Sequence, residues 1–179
     1  MSQYNEYSGV YSLLLTPFKW DRSVDYKAYE EYVAWQAAYK PQHLFAVCGS
    51  SEMMELTPEE RITCAGLAVK NSNGVPVYAT ANLQVGFNDQ VEEMKKLEAQ
   101  GVSGLVFVTK GMCDKPATQY DYLTELASHT NLPIILYEFL FTFMHWRRKW
   151  QPTPVFLPRD GGAWWAAIYG VAQSWTGLK

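Results

Sequence analysis

The sequence predicts an α/β fold built on a parallel sheet, and two patterns in the segment 1–139 support this. Five short apolar runs, each long enough for one buried strand, recur at a nearly constant interval. Amphipathic stretches with helical spacing lie between them. The runs span residues 10–15, 44–47, 75–79, 105–108 and 134–137. A strand–helix unit therefore repeats along the chain.

The first two helices have recognisable starts. Asp25 precedes an apolar face at helical spacing and predicts the start of the first helix. The second begins at Thr57, where a hydroxyl cap, Pro58 and the carboxylate of Glu60 form a capping box. The polar stretch 71–74, which ends in Asn-Gly, predicts its end.

The last two helices are marked in a similar way. Asn88 before an apolar face predicts the start of the third helix, and Gly101 predicts its end. Thr118 with Asp121 predicts the start of the fourth. Five strands and four helices fit either an open doubly wound sheet or the first five-eighths of an eight-fold barrel, and the periodicity does not choose between them.

Both architectures place functional residues at the carboxyl ends of the strands. The turn after the second run reads Gly49, Ser50, Ser51 and Glu52, which presents backbone N–H groups and hydroxyls together. Such a turn suits a small carboxylate. An ordinary polar turn leading into the second helix explains the same residues. Neither a dinucleotide fingerprint nor a phosphate-binding loop is present.

Composition narrows the class of protein. The 179 residues are 48% apolar and 18% charged, which is typical of one globular domain, and no apolar run is long enough to cross a bilayer. The amino terminus lacks the features of a signal or transit peptide, so we expect a cytoplasmic protein with three reduced cysteines. The three histidines are scattered, and we expect no metal site and no cofactor.

The segment 140–179 differs from the rest of the chain. Residues 1–139 carry 10 basic and 17 acidic side chains, whereas residues 140–179 carry 5 basic and 1 acidic side chain and five of the seven tryptophans. We therefore expect two segments: a strand–helix domain at 1–139, and an unrelated, irregular, basic and Trp-rich tail at 140–179. The stretch 166–172 is compatible with one short helix, although no caps define it.

Residues 8–139 resemble the amino-terminal half of the dihydrodipicolinate synthase and N-acetylneuraminate lyase family of Schiff-base pyruvate aldolases. The resemblance rests on the order and spacing of short motifs. They are Leu-Leu-Thr-Pro-Phe at 14–18, the turn at 49–52 with Glu60 and Arg61 behind it, the Gly-Val-Ser-Gly entry at 101–104, and Tyr137 at the end of the fifth run. The implied fold is an incomplete (β/α)8 TIM barrel of about five parallel strands and four helices.

The resemblance also implies roles for three residues. Ser50 and Ser51 correspond to the family's paired hydroxyl residues, which hold the pyruvate carboxylate, and Tyr137 corresponds to its catalytic acid and base. The chain departs from the family in lacking a Gly before Glu52, in having Lys110, Gly111 and Met112 after the fourth run where the family has Pro-Tyr-Tyr, and in having Leu140 where the family has Pro.

The family's imine-forming lysine is missing. It is expected at about 160–165, but beyond Tyr137 the chain has only Lys149, in a basic run, and Lys179. An imine-forming amine needs a desolvating pocket that lowers its pKa, and a basic run does not provide one. Lys110, at the end of the fourth run, is the one candidate replacement, although a solvated loop lysine explains it as well.

These observations predict a truncated family member that is inactive or nearly so, whose partner is a small 2-oxo acid such as pyruvate. The alternative is a noncatalytic 2-oxo-acid-binding or subunit-pairing protein on an open five-stranded sheet, since unpaired edges at the first and fifth strands favour self-association. The tail resembles a translated short interspersed repeat. We expect neither nucleic acid nor membrane as a partner.

Overall fold

The fold is that of a computed structural model, which describes residues 7–109, 119–138 and 165–169. For Glu138 and residues 165–169 it describes only the backbone. The strands are β1 (Tyr11–Leu13), β2 (His43–Ala46), β3 (Val77–Thr80), β4 (Gly104–Val108), β5 (Ile134–Glu138) and β6 (Trp165–Tyr169). The helices are α1 (Tyr26–Ala38), α2 (Pro58–Asn71), α3 (Phe87–Ala99) and α4 (Gln119–Ala127), and a 3-10 turn covers Gly49–Ser51.

The strands form one parallel sheet in the order β1-β2-β3-β4-β5-β6. Each of the first four strands is followed by its helix, so the five predicted strands and four predicted helices are confirmed. Strand order follows chain order without a reversal, as in an eight-fold barrel and unlike a doubly wound sheet. Within the described part of the chain, β1 and β6 do not pair with each other, and the sheet stays open.

The sixth strand differs from the expectation for the tail. Residues 165–169 form a strand parallel to β5, with Ile134 opposite Trp165 and Tyr137 opposite Ile168, where an irregular tail or a short helix was expected. The segment Trp-Ala-Ala-Ile-Tyr is rich in aromatic and β-branched residues, which favour strand over helix beside an open edge. Strand β5 is therefore covered, and among the described strands the edges are formed by β1 and β6. The rest of 140–179 lies outside the described residues.

The sheet has two differently covered faces. The outer face packs against the helices through Leu44, Ala79, Leu105 and other small or aliphatic side chains. The inner face is lined by Phe45, Tyr78, Val106 and Ile135, with Tyr11 and Tyr137 packed against them. Successive residues of each strand thus pack on opposite faces of the sheet, and both faces are buried.

The close approach of two inner-face residues requires glycine at 104. A Cβ there would overlap the ring of Tyr78 and lie 2.9 Å from the Pro133 carbonyl oxygen. Since Tyr78 lies directly opposite Gly104 in the β3–β4 register, its ring occupies the space that a side chain would need.

The predicted caps of α1 and α2 are present. The Asp25 carboxylate accepts the Ala28 N–H at 3.1 Å, and the Thr57 hydroxyl and Glu60 carboxylate form the reciprocal capping box. Helix α3 begins slightly earlier than expected: Gly86 is its N-cap, and Asn88 lies inside the first turn. An extended Gly86 leaves room for the Asp89 side chain, so the Asn88 cap was a wrong prediction.

Thr118, the other predicted cap, lies outside the described residues, and α4 begins at Gln119. In the described part of the chain, none of the helices has both the length and the hydrophobicity that a bilayer crossing would need.

Candidate functional site

The turn after β2 is held together by its own side chains. Val47 has a φ of +53°, which turns the chain out of the strand, and Cys48 then begins the 3-10 turn. The Ser51 hydroxyl accepts the Cys48 N–H at 2.8 Å and lies 3.1 Å from the Cys48 Sγ. A β-branched residue rarely adopts a positive φ, so the surrounding contacts must stabilise this conformation.

The end of β1 is fastened to the same turn. Thr16, which follows β1 closely in the chain, donates its hydroxyl to the Ser51 carbonyl oxygen at 2.9 Å, and both groups are buried. The Thr-Pro-Phe motif of the sequence therefore has a structural role at this position, because its threonine links the first strand end to the second.

Tyr137 lies at the same end of the inner face. Its ring is half-buried and packs edge-on against Phe45, with the ring centroids 5.9 Å apart. Burial, and to a smaller extent the nearby Cys48, raise the pKa of the Tyr137 phenol. Tyr137 therefore carries its phenolic proton at neutral pH.

The two predicted serines have different environments. The Ser51 side chain is buried next to Cys48, which in turn is near Tyr137, so these three residues share one end of the inner face. Ser50 is exposed. The side-chain oxygen of Ser51 accepts a backbone hydrogen bond from Cys48 and is also in hydrogen-bond contact with the Cys48 thiol.

Strand β3 adds a buried hydroxyl to this end. Thr80 shares the alternation of Tyr78 along β3 and therefore faces the same inner side of the sheet. It is fully buried, and its Oγ1 has no hydrogen-bond partner among the described residues. Just beyond, Asn82 joins β3 to β4 by accepting the Val108 N–H at 2.8 Å and donating to the Val108 carbonyl oxygen at 2.9 Å.

Neither Thr80 nor Cys48 is among the residues that the sequence predicts for the site. The sequence predicts reduced cysteines, and the structure buries Cys48 and Cys64 as free cysteines. The signal available for Cys48 was its position between a buried strand and the turn of hydroxyl residues. For Thr80 the signal was its alternation with Tyr78.

The described site is made of neutral donors. Tyr137, Ser51 and Thr80 offer hydroxyls at one end of the inner face, an arrangement that can donate hydrogen bonds to a small carboxylate or carbonyl. No group of three metal-ligating side chains occurs among the residues that the structure describes. Lys110, Lys149 and Lys179 all lie outside them. The sixth strand reads Trp-Ala-Ala-Ile-Tyr, and Ile168 is the residue opposite Tyr137.

Comparison with known proteins agrees with this architecture. The model of the dihydrodipicolinate synthetase family matches residues 6–142. A 4-hydroxy-tetrahydrodipicolinate synthase of Parabacteroides distasonis is 32% identical over 130 residues, which cover 69% of this chain and 42% of that protein. A probable 5-dehydro-4-deoxyglucarate dehydratase of Corynebacterium glutamicum is 31% identical over 132 residues, covering 72% of this chain and 41% of that protein.

A solved structure has the same fold. A prophage protein of E. coli K12, belonging to the dihydrodipicolinic acid synthase family and in complex with pyruvate, superposes with a TM-score of 0.62 at 20% identity. The superposition covers 74% of this chain and 45% of that one. The chain thus spans less than half the length of each of these three proteins. The family match over residues 6–142, on a parallel sheet in barrel order, establishes that the chain belongs to the dihydrodipicolinate synthetase family.

Proposed function

We propose that this chain is a truncated family member that binds a small 2-oxo acid such as pyruvate in the cytoplasm and is inactive, or nearly so, in turning it over. The intact relatives are expected to act through a lysine imine. The observation that carries the proposal is the residue paired with Tyr137 on the sixth strand, which is Ile168 and not an amine.

The binding half of the proposal rests on the inner-face hydroxyls. Thr80 offers a buried hydroxyl without a partner in the described part of the chain, and Tyr137 and the buried Ser51 lie at the same end of the inner face. These hydroxyls suit a carboxylate and an adjacent ketone. Buried donors without partners are costly, so a ligand that accepts their hydrogen bonds gains more than it would in water. The pyruvate complex of the related E. coli protein is consistent with this ligand class.

The inactive half of the proposal follows from chemistry. Imine formation needs an uncharged amine that attacks the ketone, and the tyrosine then moves protons between the hydroxyl of the carbinolamine and solvent. Without that amine the phenol has no carbinolamine to serve. We therefore expect Tyr137 to hold the ligand by a hydrogen bond and not to act as an acid or base in a catalytic cycle.

A pyruvate titration followed by calorimetry tests the binding proposal on the full chain. We expect saturable binding that Tyr137→Phe weakens about tenfold, because one hydrogen bond to a charged ligand is lost from a ring of the same shape. Acetone, which has the ketone but no carboxylate, serves as the control ligand and should not saturate. Equal affinity of wild type and Y137F, or the absence of saturation by pyruvate, would contradict the proposal.

A second candidate function is noncatalytic subunit pairing. Within the described residues, β1 pairs only with β2, which leaves one of its edges without a strand neighbour. Open strand edges pair readily with other chains. Sedimentation of the full chain should then give a defined oligomer, and a polydisperse aggregate would count against pairing.

A further inference from the structure

The exposed apolar side chains of the molecule are concentrated beside the open edge of β1. Ten large apolar or aromatic side chains are exposed among the described residues, and five of them lie in β1 or α1 or next to these elements in the chain. We call these five the β1–α1 surface: Val10, Leu13, Leu15, Trp35 and Tyr39. Its largest members, Trp35 and Tyr39, are 55% and 71% exposed.

The aromatic part of this surface lies on the side of α1 that faces away from α2. Lys70 and Asn71 of α2 bind Glu30 on one side of α1, while Tyr32 and Gln36 lie on the side next to β1. Tyr32, Trp35 and Tyr39 pack ring against ring along that second side. This uncharged aromatic row is therefore the continuation of the strand edge on the outer side of the sheet.

The strand edge has its own hydrogen-bonding groups. Val10 and Leu14 bond to β2, so the N–H and C=O groups of Tyr11 and Leu13 point away from β2. The Leu13 carbonyl oxygen accepts one exposed hydrogen bond from the Tyr32 hydroxyl, 3.3 Å long, and keeps a second lone pair. A neighbouring strand can therefore bond to Tyr11 and Leu13.

We propose that the β1–α1 surface binds the same surface of a second copy of this chain about a two-fold axis. The axis runs perpendicular to the sheet, pairs the two β1 strands antiparallel, and places both α1 helices on the same side of one continuous sheet. Leu13 of each copy then lies opposite Tyr11 of the other on the inner face, and Trp35 and Tyr39 lie on the outer face. The proposal rests on the pairing function proposed above and is independent of ligand binding.

Three features favour a second copy as the occupant. An antiparallel pair of identical edges is self-complementary and closes at two subunits. The aromatic row carries no charge that would select an oppositely charged partner. At about 150–250 Å² for a large side chain, the exposed fractions give about 500 Å² per copy, so a dimer would bury about 1,000 Å², the lower limit for a specific interface.

The proposed pairing fixes a register. When Tyr11 of one strand bonds to Leu13 of the other, the two Ser12 residues face each other as a non-hydrogen-bonded pair. The Cα atoms of such a pair are about 4.5 Å apart, within the range that a disulfide spans. Ser12→Cys should therefore give a disulfide-linked dimer on mild oxidation, whereas the wild type, whose described cysteines are buried, should not.

Sedimentation velocity over a hundredfold range of concentration measures the association. We expect a monomer–dimer equilibrium that Trp35→Glu weakens about tenfold or more, since a central tryptophan is the typical anchor of such an interface. Trp20→Glu is the matched control, because Trp20 is a fully exposed tryptophan that is not part of the β1–α1 surface, and it should leave the equilibrium unchanged. Trp35→Phe should retain the dimer, which separates loss of contact from loss of fold.

The outcomes separate this surface from pairing in general. A wild-type monomer at every concentration overturns both proposals. A dimer that W35E leaves intact, or an S12C chain that forms no cross-link, overturns the proposal that the β1–α1 surface is the interface. The chain would then pair through another surface. Filaments or polydisperse aggregate would indicate edge-to-edge growth, and a monomer in which the carboxyl-terminal segment is protected by this surface would indicate an intramolecular occupant; both overturn the two-fold dimer.

Discussion

Ser50 and Ser51 are adjacent in the chain, but only Ser51 contributes to the stability of the turn. Its hydroxyl accepts the buried Cys48 N–H at 2.8 Å. We expect Ser51→Ala to lower the free energy of unfolding by about 1–3 kcal/mol, because it leaves that N–H without a partner. Urea unfolding followed by far-UV circular dichroism measures the change.

Ser50→Ala is the matched control. Its side chain is exposed, and we expect a change within about 0.5 kcal/mol. If the two variants were equally stable, the Cys48 N–H would not depend on Ser51, and the role assigned to Ser51 in this turn would be wrong.

His43 gives a pH-dependent prediction at the residue scale. It is buried at the start of β2, stacked on Tyr11 at 4.2 Å and in edge contact with Tyr78. Burial lowers the pKa of the imidazole, and a backbone group of Ser8 offsets this only in part. The unfolded chain therefore binds the proton more readily than the folded chain once the pH falls below about 6.5, and stability is lost in that range.

Unfolding in urea at pH 7.5 and at pH 5.5 tests this. We expect the wild type to lose more stability between the two values than His43→Phe, which keeps an aromatic ring in the stack and cannot take a proton. The same loss in both proteins would mean that other groups cause the pH dependence.

At the scale of elements, one buried ion pair joins α2 to α3. The Arg61 guanidinium donates two hydrogen bonds to the Glu93 carboxylate, at 2.6 and 3.0 Å, and a third to the Leu56 carbonyl oxygen at 2.6 Å. Both side chains are almost completely buried. Glu93→Leu alone leaves a buried, unpaired cation, and we expect a loss of about 3–5 kcal/mol in the free energy of unfolding.

Two controls accompany this prediction. The double variant R61M/E93L should recover much of the loss, because neither charge then remains unpaired. Lys96→Ala removes the exposed partner of Glu92 on the same helix and should cost less than about 1 kcal/mol. If Glu93→Leu were as stable as the wild type in chemical denaturation, water would be replacing Glu93 as the partner of Arg61. The predicted cost of an unpaired, buried cation would then be wrong.

The elements that the sequence predicts well are those that local chemistry determines. These elements are the capping box of Thr57 and Glu60, the Asp25 cap and the five apolar runs. Each depends on residues close together in the chain, so the sequence alone predicts it. The start of α3 was missed because Gly86 caps through backbone conformation and not through a side chain. Strand β6 was missed because its conformation depends on pairing with β5, which is distant along the chain.

The candidate site is predictable only in part for the same reason. Tyr137 and the serine turn follow from the family resemblance, and the roles assigned to Ser50, Ser51 and Tyr137 stay predictions. The contact between Ser51 and Cys48 depends on a positive φ at Val47, which no pattern in the sequence signals. The absence of a partner for Thr80 among the described residues depends on which side chains its neighbours present.

At the scale of the whole molecule, the chain keeps a family scaffold in which the strand next to β5 presents Ile168 opposite Tyr137. In the proposed function, this scaffold offers hydroxyls to a 2-oxo acid but does not supply, at that position, an amine that would bond to its ketone. We therefore propose that this chain binds the ligand without capturing it covalently.

The most direct test is reduction of the full chain with borohydride in the presence of pyruvate, followed by intact-mass measurement. Borohydride converts an imine into a stable amine, so any lysine that captures pyruvate retains the added mass. We predict a mass equal to that of the untreated protein at a pyruvate concentration that saturates binding. A single stoichiometric adduct on one lysine, with Lys110 the first position to inspect, would contradict the proposed loss of imine chemistry.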